Sequence, residues 1–259
     1  MSKSIDISII IPTKNEELHI GQLLHDISKQ KLVKKNGRKL KVEVIVADGG
    51  STDKTKKIAK LYDVKIIKGG HPSVGRNAGA KKAKGKVLYF MDADIRIDPL
   101  FINESYQEFI EKKLDIAAID NLPKWEGKEN YIQRTVLEFF YMIGNVIIRI
   151  LQKTKTPKLI STCMIVKKKS FDAVGGFNEN IYVHGDAEVT ERVANAGFEM
   201  GVLDRDRIWA STRKPLKHGV VRYYISAALI NHHRMTKGEV YTPEVYQQIT
   251  GEKDYFTKK

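Results

Sequence analysis

The sequence predicts an α/β domain built on a mostly parallel sheet flanked by helices. Three observations carry this. Short apolar runs at 7–11, 42–47, 64–67 and 87–91 alternate with helical patterns. Each run stops at polar, acidic or glycine-bearing residues. The run Val87-Leu88-Tyr89-Phe90-Met91 is apolar throughout, which suits a strand covered on both faces, as in parallel sheets. Parallel strands put their carboxyl ends on one edge, so the polar tips gather where such sheets bind ligands.

The bulk numbers set the frame. With 259 residues the chain can bury a sizeable core. Cys163 is the one cysteine, which excludes an intrachain disulfide and a cysteine-based zinc site and fits a reducing compartment. The chain starts without an apolar leader, and no run reaches the roughly 18 apolar residues of a spanning helix. A cytoplasmic location, with peripheral contact to the inner face of a membrane as an option, is the expectation. The net charge of +14 draws anionic partners: nucleic acid, lipid headgroups or phosphorylated substrates. Charge is densest at 29–41, 153–169 and 205–222.

Taken in order, the run 7–11 ends at Pro12, which cannot donate to a sheet ladder, and 12–17 follows as a loop. A helix with Leu18, Leu23, Leu24 and Ile27 on one face comes next, then a basic loop with the turn dipeptide Asn36-Gly37. The second strand ends at Asp48-Gly49-Gly50-Ser51-Thr52-Asp53. Its glycines allow a tight turn or close approach to a ligand, and Asp53 suits an N-cap for a helix through Leu61. Asp48, at the strand tip, is the better functional candidate. After the short third strand, residues 69–79 resemble a phosphate-binding loop in composition only. Arg76 and Asn77 fall at the start of the next helix, where an arginine meets a phosphate or a strand-end carboxylate.

Asp92 and Asp94 follow the fourth strand. Two carboxylates at a strand tip can share a hard divalent cation such as Mg²⁺ or Mn²⁺. Taken alone, Asp94 equally serves as a helix cap and Asp92 as a solvated strand end.

Read together, these stretches resemble the family 2 glycosyltransferases of the GT-A (Rossmann-like) fold. Pro12-Thr13-Lys14-Asn15-Glu16 looks like the family's first nucleotide-binding loop, and Asp48-Gly49-Gly50-Ser51-Thr52-Asp53 is similar to its second-strand signature. Arg76-Asn77-Ala78-Gly79 matches the segment before the metal strand, and Asp92-Ala93-Asp94 matches the metal motif. Downstream, 161–166, 171–179 and 184–192 look like the acceptor side.

The resemblance implies an inverting transferase that moves a sugar from a UDP- or GDP-sugar with the help of Mg²⁺ or Mn²⁺. It implies donor contacts from Pro12, Thr13, Asn15, Glu16, Asp48, Gly49, Arg76, Asn77, Asp92 and Ala93. It gives the metal to Asp92 and Asp94, Asp94 being the more direct ligand. The family's general base falls on Asp186, placed just ahead of a helix over 187–196. Gly185 stands where the family usually has glutamate, so that residue's acceptor contact is absent. His184, Gly185, Trp209 and Arg213 are candidate acceptor or diphosphate contacts. The Gln-x-x-Arg-Trp motif of processive synthases is missing, which points to transfer of one sugar at a time. A phosphate acceptor would need no strong base, and Asp186 would then only orient it. Glu188 and Arg192, four apart, suit an ion pair on one helix face.

The stretch 134–151 is the most apolar helical pattern. The first expectation is a core helix beneath the acceptor site. The alternative is an interfacial helix on a membrane, with Lys153, Lys155 and Lys158 meeting anionic headgroups and a lipid-linked acceptor. Residues 1–218 are expected to form the catalytic domain. The extension 219–259, helical at Val220, Val221, Tyr224, Ile225, Ala228 and Leu229, packs on that domain or on the membrane. Two rival readings remain. A sugar nucleotidyltransferase of related architecture would carry glycine in its first strand-to-helix loop, which 12–17 lacks. A nucleic-acid-binding module would interleave aromatic with basic residues, and no nucleic-acid partner is expected here.

Overall fold

The computed structural model describes residues 4–33, 37–154, 159 and 161–252. Expectations at Asn36, Lys155 and Lys158 lie outside the described residues. Seven strands form one sheet: β1 (Ile7–Thr13), β2 (Val42–Asp48), β3 (Lys65–Lys68), β4 (Val87–Met91), β5 (Ile116–Lys124), β6 (Cys163–Lys167) and β7 (Met200–Ser211). The helices are α1 (Ile20–Ser28), α2 (Thr55–Ala59), α3 (Pro72–Lys82), α4 (Phe101–Glu111), α5 (Tyr131–Leu151), α6 (Lys168–Ala173), α7 (Gly185–Asn195), α8 (Arg213–His218), α9 (Val220–Thr236) and α10 (Pro243–Thr250).

The strand order is β3-β2-β1-β4-β6-β5-β7. Only β6 runs against its neighbours β4 and β5; the other named pairs are parallel. The chain winds outward from β1 through β2 to β3, then crosses back to place β4 on the other side of β1. The order reverses between β1 and β4, and a crevice opens outside their carboxyl ends. The sequence therefore gives the expected α/β architecture with a mostly parallel sheet.

The two faces of the sheet are covered by side chains of alternating parity, as the pleat requires. Ile7, Ile9, Ile11, Val44, Val46, Val87, Tyr89 and Met91 pack with Leu23, Leu24, Phe101 and Phe109 of α1 and α4. Ile10, Ile45, Leu88 and Phe90 pack with Ala80 of α3, Phe171, Phe177 and the α7 residues Val189 and Val193. A side chain at Gly79 would collide with Ile10, so the glycine lets α3 lie close against β1.

Several boundaries differ from expectation. α1 begins at Ile20, leaving Leu18 in the preceding turn and 76% exposed. α2 stops at Ala59, before exposed Leu61, and its N-cap is Lys54. Asp53 nevertheless binds the backbone NH of Thr55 at 3.0 Å, which is cap-like service one residue early. α3 begins at Pro72, a favoured first-turn residue, so Arg76 and Asn77 lie inside the helix and not at its start. α7 begins at Gly185, which puts Asp186 in the first turn and not in the loop ahead of it.

The largest correction concerns α5. A capping box of Asn130 and Gln133 starts it cleanly, yet Leu137 is its one fully buried residue. It is not a core helix. It is held by polar links: Asn145 exchanges two hydrogen bonds with the Asn121 backbone, and Tyr141 donates to the Ala210 carbonyl. In α9 the buried positions are Val220, Ser226, Ile230 and Arg234, while Val221, Ile225 and Leu229 face outward. Among the described residues no helix is long and apolar enough to cross a membrane.

Candidate active site at the carboxyl edge of the sheet

The tips of β1, β2 and β4 meet at one edge, and the loops after β1 and β2 are zipped together there. Asn15 adopts a left-handed conformation at φ +55°, which asparagine tolerates. Its NH donates to Ser51 Oγ at 2.9 Å, and its side-chain oxygen accepts from the Thr52 NH at 2.9 Å. The Glu16 NH donates to Thr55 Oγ1, the Glu17 NH donates to the Asp53 carboxylate, and the Glu17 carboxylate accepts from the Lys54 NH across the same seam. Asn15 thus fixes the loops to each other.

Asp48 accepts from the NH groups of Gly50 and Ser51, each at 3.1 Å. The Gly49 NH donates to Thr13 at 2.7 Å, and a Cβ at Gly49 would press on the Gly70 carbonyl. Glycine is needed there because three strand ends converge. A cavity of about 450 Å³ opens beside this turn, lined by Asp48, Gly49, Lys56, Ile67, Lys68 and Gly70. Apolar walls from β3, a carboxylate and two lysines suit an aromatic base and its ribose.

On the other side of the crevice, Arg76 reaches from α3 to Asp92 with a 2.9 Å ion pair. Its guanidinium also lies 5.4 Å from the Phe177 ring centre, a cation–π distance. Asn77 points elsewhere. Its amide donates to the Phe177 carbonyl and to Glu179, and its oxygen accepts from the Phe177 NH. Asn77 ties α3 to the downstream segment, and both of its amide hydrogens are spent there.

Asp94 is met by Arg213 at 2.8 Å, and the same guanidinium grips both oxygens of Glu16 at 2.7 and 2.8 Å. Arg213 sits at the start of α8, so it fastens the end of the sheet's last strand, β7, to the first loop. Buried Ala93 lies between the two aspartates. The electrostatics separate the pair. Desolvation raises the Asp92 carboxyl, with Asp94 adding to it, and Arg76 offsets this only in part. Desolvation also pushes on Asp94, but Arg213, Lys214 and His19 outweigh it and hold that carboxyl below its ordinary value.

His19 and Lys124 complete this corner, with the His19 Nδ1 3.3 Å from the lysine ammonium. Burial, then Arg213 and Lys124, lower the His19 pKa, keeping the imidazole neutral. The sequence reading missed His19 and Lys124. A histidine in a loop and a lysine in a lysine-rich chain carry no local signal; the strand crossover brings them in.

Asp186, in the first turn of α7, accepts from the Ser161 NH at 3.3 Å. His184 precedes it in a left-handed conformation, φ +59°, with Nδ1 3.4 Å from the Asn231 oxygen. Burial lowers the His184 pKa, the opposing pull of Asp186 being smaller. Gly185 packs against Ser73 of α3, where a Cβ would lie 3.0 Å from the hydroxyl. A side chain there, such as the family's glutamate, would need the Ser73 hydroxyl to give by a few tenths of an ångström. Glu188 and Arg192 pair as expected, and Arg192 also binds the Val174 and Gly176 carbonyls, so its work is structural. Trp209 lies on β7, its backbone bridged to Arg96 just past Asp94.

The oxygen donors of Asp92 and Asp94 suit Mg²⁺ or Mn²⁺. No third His, Cys, Asp or Glu joins them in a metal-sized group among the described residues. Their remaining coordination positions therefore suit a diphosphate and water. Arg213 is the cation that now stands on Asp94.

The sequence matches the glycosyl transferase family 2 profile over residues 8–175, so the chain belongs to that family. The poly(ribitol-phosphate) β-N-acetylglucosaminyltransferase TarS of Staphylococcus aureus is 30% identical over 145 residues, 50% of this chain and 24% of TarS. The glycosyltransferase AglE of Haloferax volcanii is 24% identical over 208 residues, 75% of this chain and 63% of AglE. The chain thus spans about a quarter of the former's length and under two thirds of the latter's. Among solved structures, the mannosyltransferase PcManGT of Pyrobaculum calidifontis, in complex with GDP-Man and Mn²⁺, superposes with a TM-score of 0.64. That match is 17% identical and covers 96% of this chain and 69% of PcManGT. S. aureus TarS 1-349 with UDP-GlcNAc gives 0.59 at 20% identity, covering 96% and 71%. The fold is GT-A.

Proposed function

We propose that the chain is an inverting glycosyltransferase that moves one sugar from a nucleotide-sugar donor to an acceptor. The observation that carries this is the placement of Asp48, Asp92 and Asp94 on one sheet edge beside a base-sized cavity, with Asp186 brought to the same crevice. In the solved structures of like fold the donors named are UDP-GlcNAc and GDP-Man, and either class fits the cavity's chemistry.

Asp48, with the Gly49 turn, holds the nucleoside. Asp94, with Asp92, would hold the divalent cation, which supplies charge neutralisation to the departing diphosphate. Arg76, Lys214 and Arg213, once Arg213 leaves Asp94, offset the same charge. The acceptor oxygen attacks the anomeric carbon opposite the leaving group; its bond to the carbon forms as the bond to the phosphate oxygen breaks. The acceptor's proton passes to the Asp186 carboxylate. The Ser161 NH and the start of α7 hold that carboxylate in place. An acceptor that is already an ionised phosphate needs no base, and Asp186 then orients it. The rival readings gain no support: carboxylates at the strand tips repel a polynucleotide.

Residues 1–218 form the catalytic unit in this reading, and 219–252 extend it through α9 and α10. A thermal-shift panel of UDP-GlcNAc and GDP-Man, with and without Mn²⁺, tests the donor assignment. A ligand at 100 times its dissociation constant adds about 2.7 kcal/mol of stability. No shift with any nucleotide sugar, metal present, would sink the proposal.

A further inference from the structure

We propose that the outer faces of α5 and α9 dock the protein onto an anionic lipid bilayer. The two helices meet where Phe140 stacks on Tyr224, ring centres 4.1 Å apart and nearly parallel. From that joint each helix carries a solvent-facing apolar stripe. On α5 it is Ile132, Phe139, Met142, Val146 and Ile150, with Phe139 53% and Met142 57% exposed. On α9 it is Val221, Ile225 and Leu229, with Ile225 54% exposed. The α5 stripe recurs at three-, four- and seven-residue steps and runs about 27 Å along the helix. Exposed apolar surface of that continuity marks an interaction site.

Charge identifies the occupant. Of the six Arg or Lys in residues 213–237, Lys217, Arg222 and Lys237 are exposed, while Arg213 is drawn to Glu16 and Asp94 and buried Arg234 pairs with Glu239. Residues 131–154 hold three Arg or Lys and one Glu. Arg134, Lys153, Arg222 and Lys237 are exposed along or at the ends of the two helices. A second copy would bring like-charged segments together across a two-fold axis, which opposes association. An anionic headgroup layer satisfies both properties, apolar side chains below and cations at the headgroups. Neither helix is long and apolar enough to cross, so they lie in the interface plane. The inner side of α5 touches β7 near the site through Tyr141 and Ala210. Docking therefore places the acceptor side of the crevice near the bilayer, a consequence that rests on the glycosyltransferase reading; the docking itself does not.

Co-sedimentation of the purified chain with phosphatidylcholine vesicles, with and without phosphatidylglycerol, tests this. Binding is expected only to the anionic vesicles and to weaken with salt. Phe139→Ser with Met142→Ser, and separately Ile225→Ser, should lower partitioning at least tenfold with unfolding temperatures unchanged. Lys153→Gln and Arg222→Gln should each lower it about fivefold. Three outcomes overturn the proposal. One is wild-type protein that stays in the supernatant at low salt. Another is serine variants that bind as well as wild type. The third is a solution dimer that the serine variants break into monomers. Nucleotide-sugar thermal shifts on the same samples keep the readings apart: donor binding with no vesicle binding removes docking alone, and the converse removes the donor assignment alone.

Discussion

The proposed donor side of the crevice and its proposed acceptor side are built on different principles. Around β1, β2 and β4 the carboxylates and loops are pinned by short backbone contacts, and α3 is seated by Gly79 against Ile10. Around α5 the chain relies on polar tethers such as Asn145 to Asn121, with one residue fully buried, and α9 buries four of its seventeen residues and is linked by His184 to Asn231. A nucleotide is a constant chemical object and rewards a preformed cradle. The acceptor side is left looser, and its outer faces are apolar. Low burial predicts lower local stability, so amides in α5 and α9 should exchange faster than those in β1 and β4.

The sharpest way to break this division is kinetic. Asp186→Asn should reduce transfer by about 10²–10⁴-fold, the span of a lost general base, while leaving the donor-induced thermal shift intact. Asp94→Asn should reduce transfer by about 10²–10³-fold and abolish the added shift that Mn²⁺ gives with nucleotide sugar. If both substitutions weaken donor binding equally, the crevice is not divided between donor and acceptor carboxylates. A smaller, purely structural effect is expected at Gly79→Ala. The added methyl strikes Ile10, and overpacking of that kind costs about 1–3 kcal/mol, or several degrees in unfolding temperature. A substitution on the outer face, Val146→Ala, should cost far less.

The same division explains what the sequence made legible. Strand tips with aspartate and glycine are local signals, and Asp48, Arg76, Asp92 and Asp94 could be placed from them in order along the chain. Arg76 meets a strand-end carboxylate as expected, reaching from α3 to Asp92. Two donor candidates carry structural contacts, Asn15 between the loops and Asn77 to the downstream segment, and sequence spacing cannot distinguish such contacts from ligand contacts. His19 and Lys124 are 105 residues apart and meet only because β5 and the first loop share the sheet edge. The apolar pattern of 134–151 misled for a different reason. Hydrophobic periodicity reports that a face avoids water and does not say whether protein or lipid covers it.

The remaining place to sharpen the comparison is β7, which links the two sides. Asp206 on that strand is buried, with Oδ2 lacking a hydrogen-bond partner among the described residues. Burial first, then the carboxylates of Glu104, Asp98 and Glu108, push its pKa up to about 7. Glu108 stays charged, because burial is outweighed by Lys112 and by the NH groups of Asp204 and Arg205. The folded chain thus holds a proton on Asp206 that the unfolded chain releases near pH 4. Stability from this proton is fully present below that pH and is lost as the pH rises through about 7. Over that interval the unfolding free energy should fall by up to about 4 kcal/mol from this group. Asp206→Asn mimics the protonated form and should remove the fall, making the variant more stable than wild type at pH 8 and equal to it near pH 4. Urea unfolding of both proteins at pH 5 and pH 8 measures this. A wild-type chain as stable at pH 8 as its Asn variant would mean that β7 opens to water at Asp206, and that the looser packing of the acceptor side extends through the strand to α4.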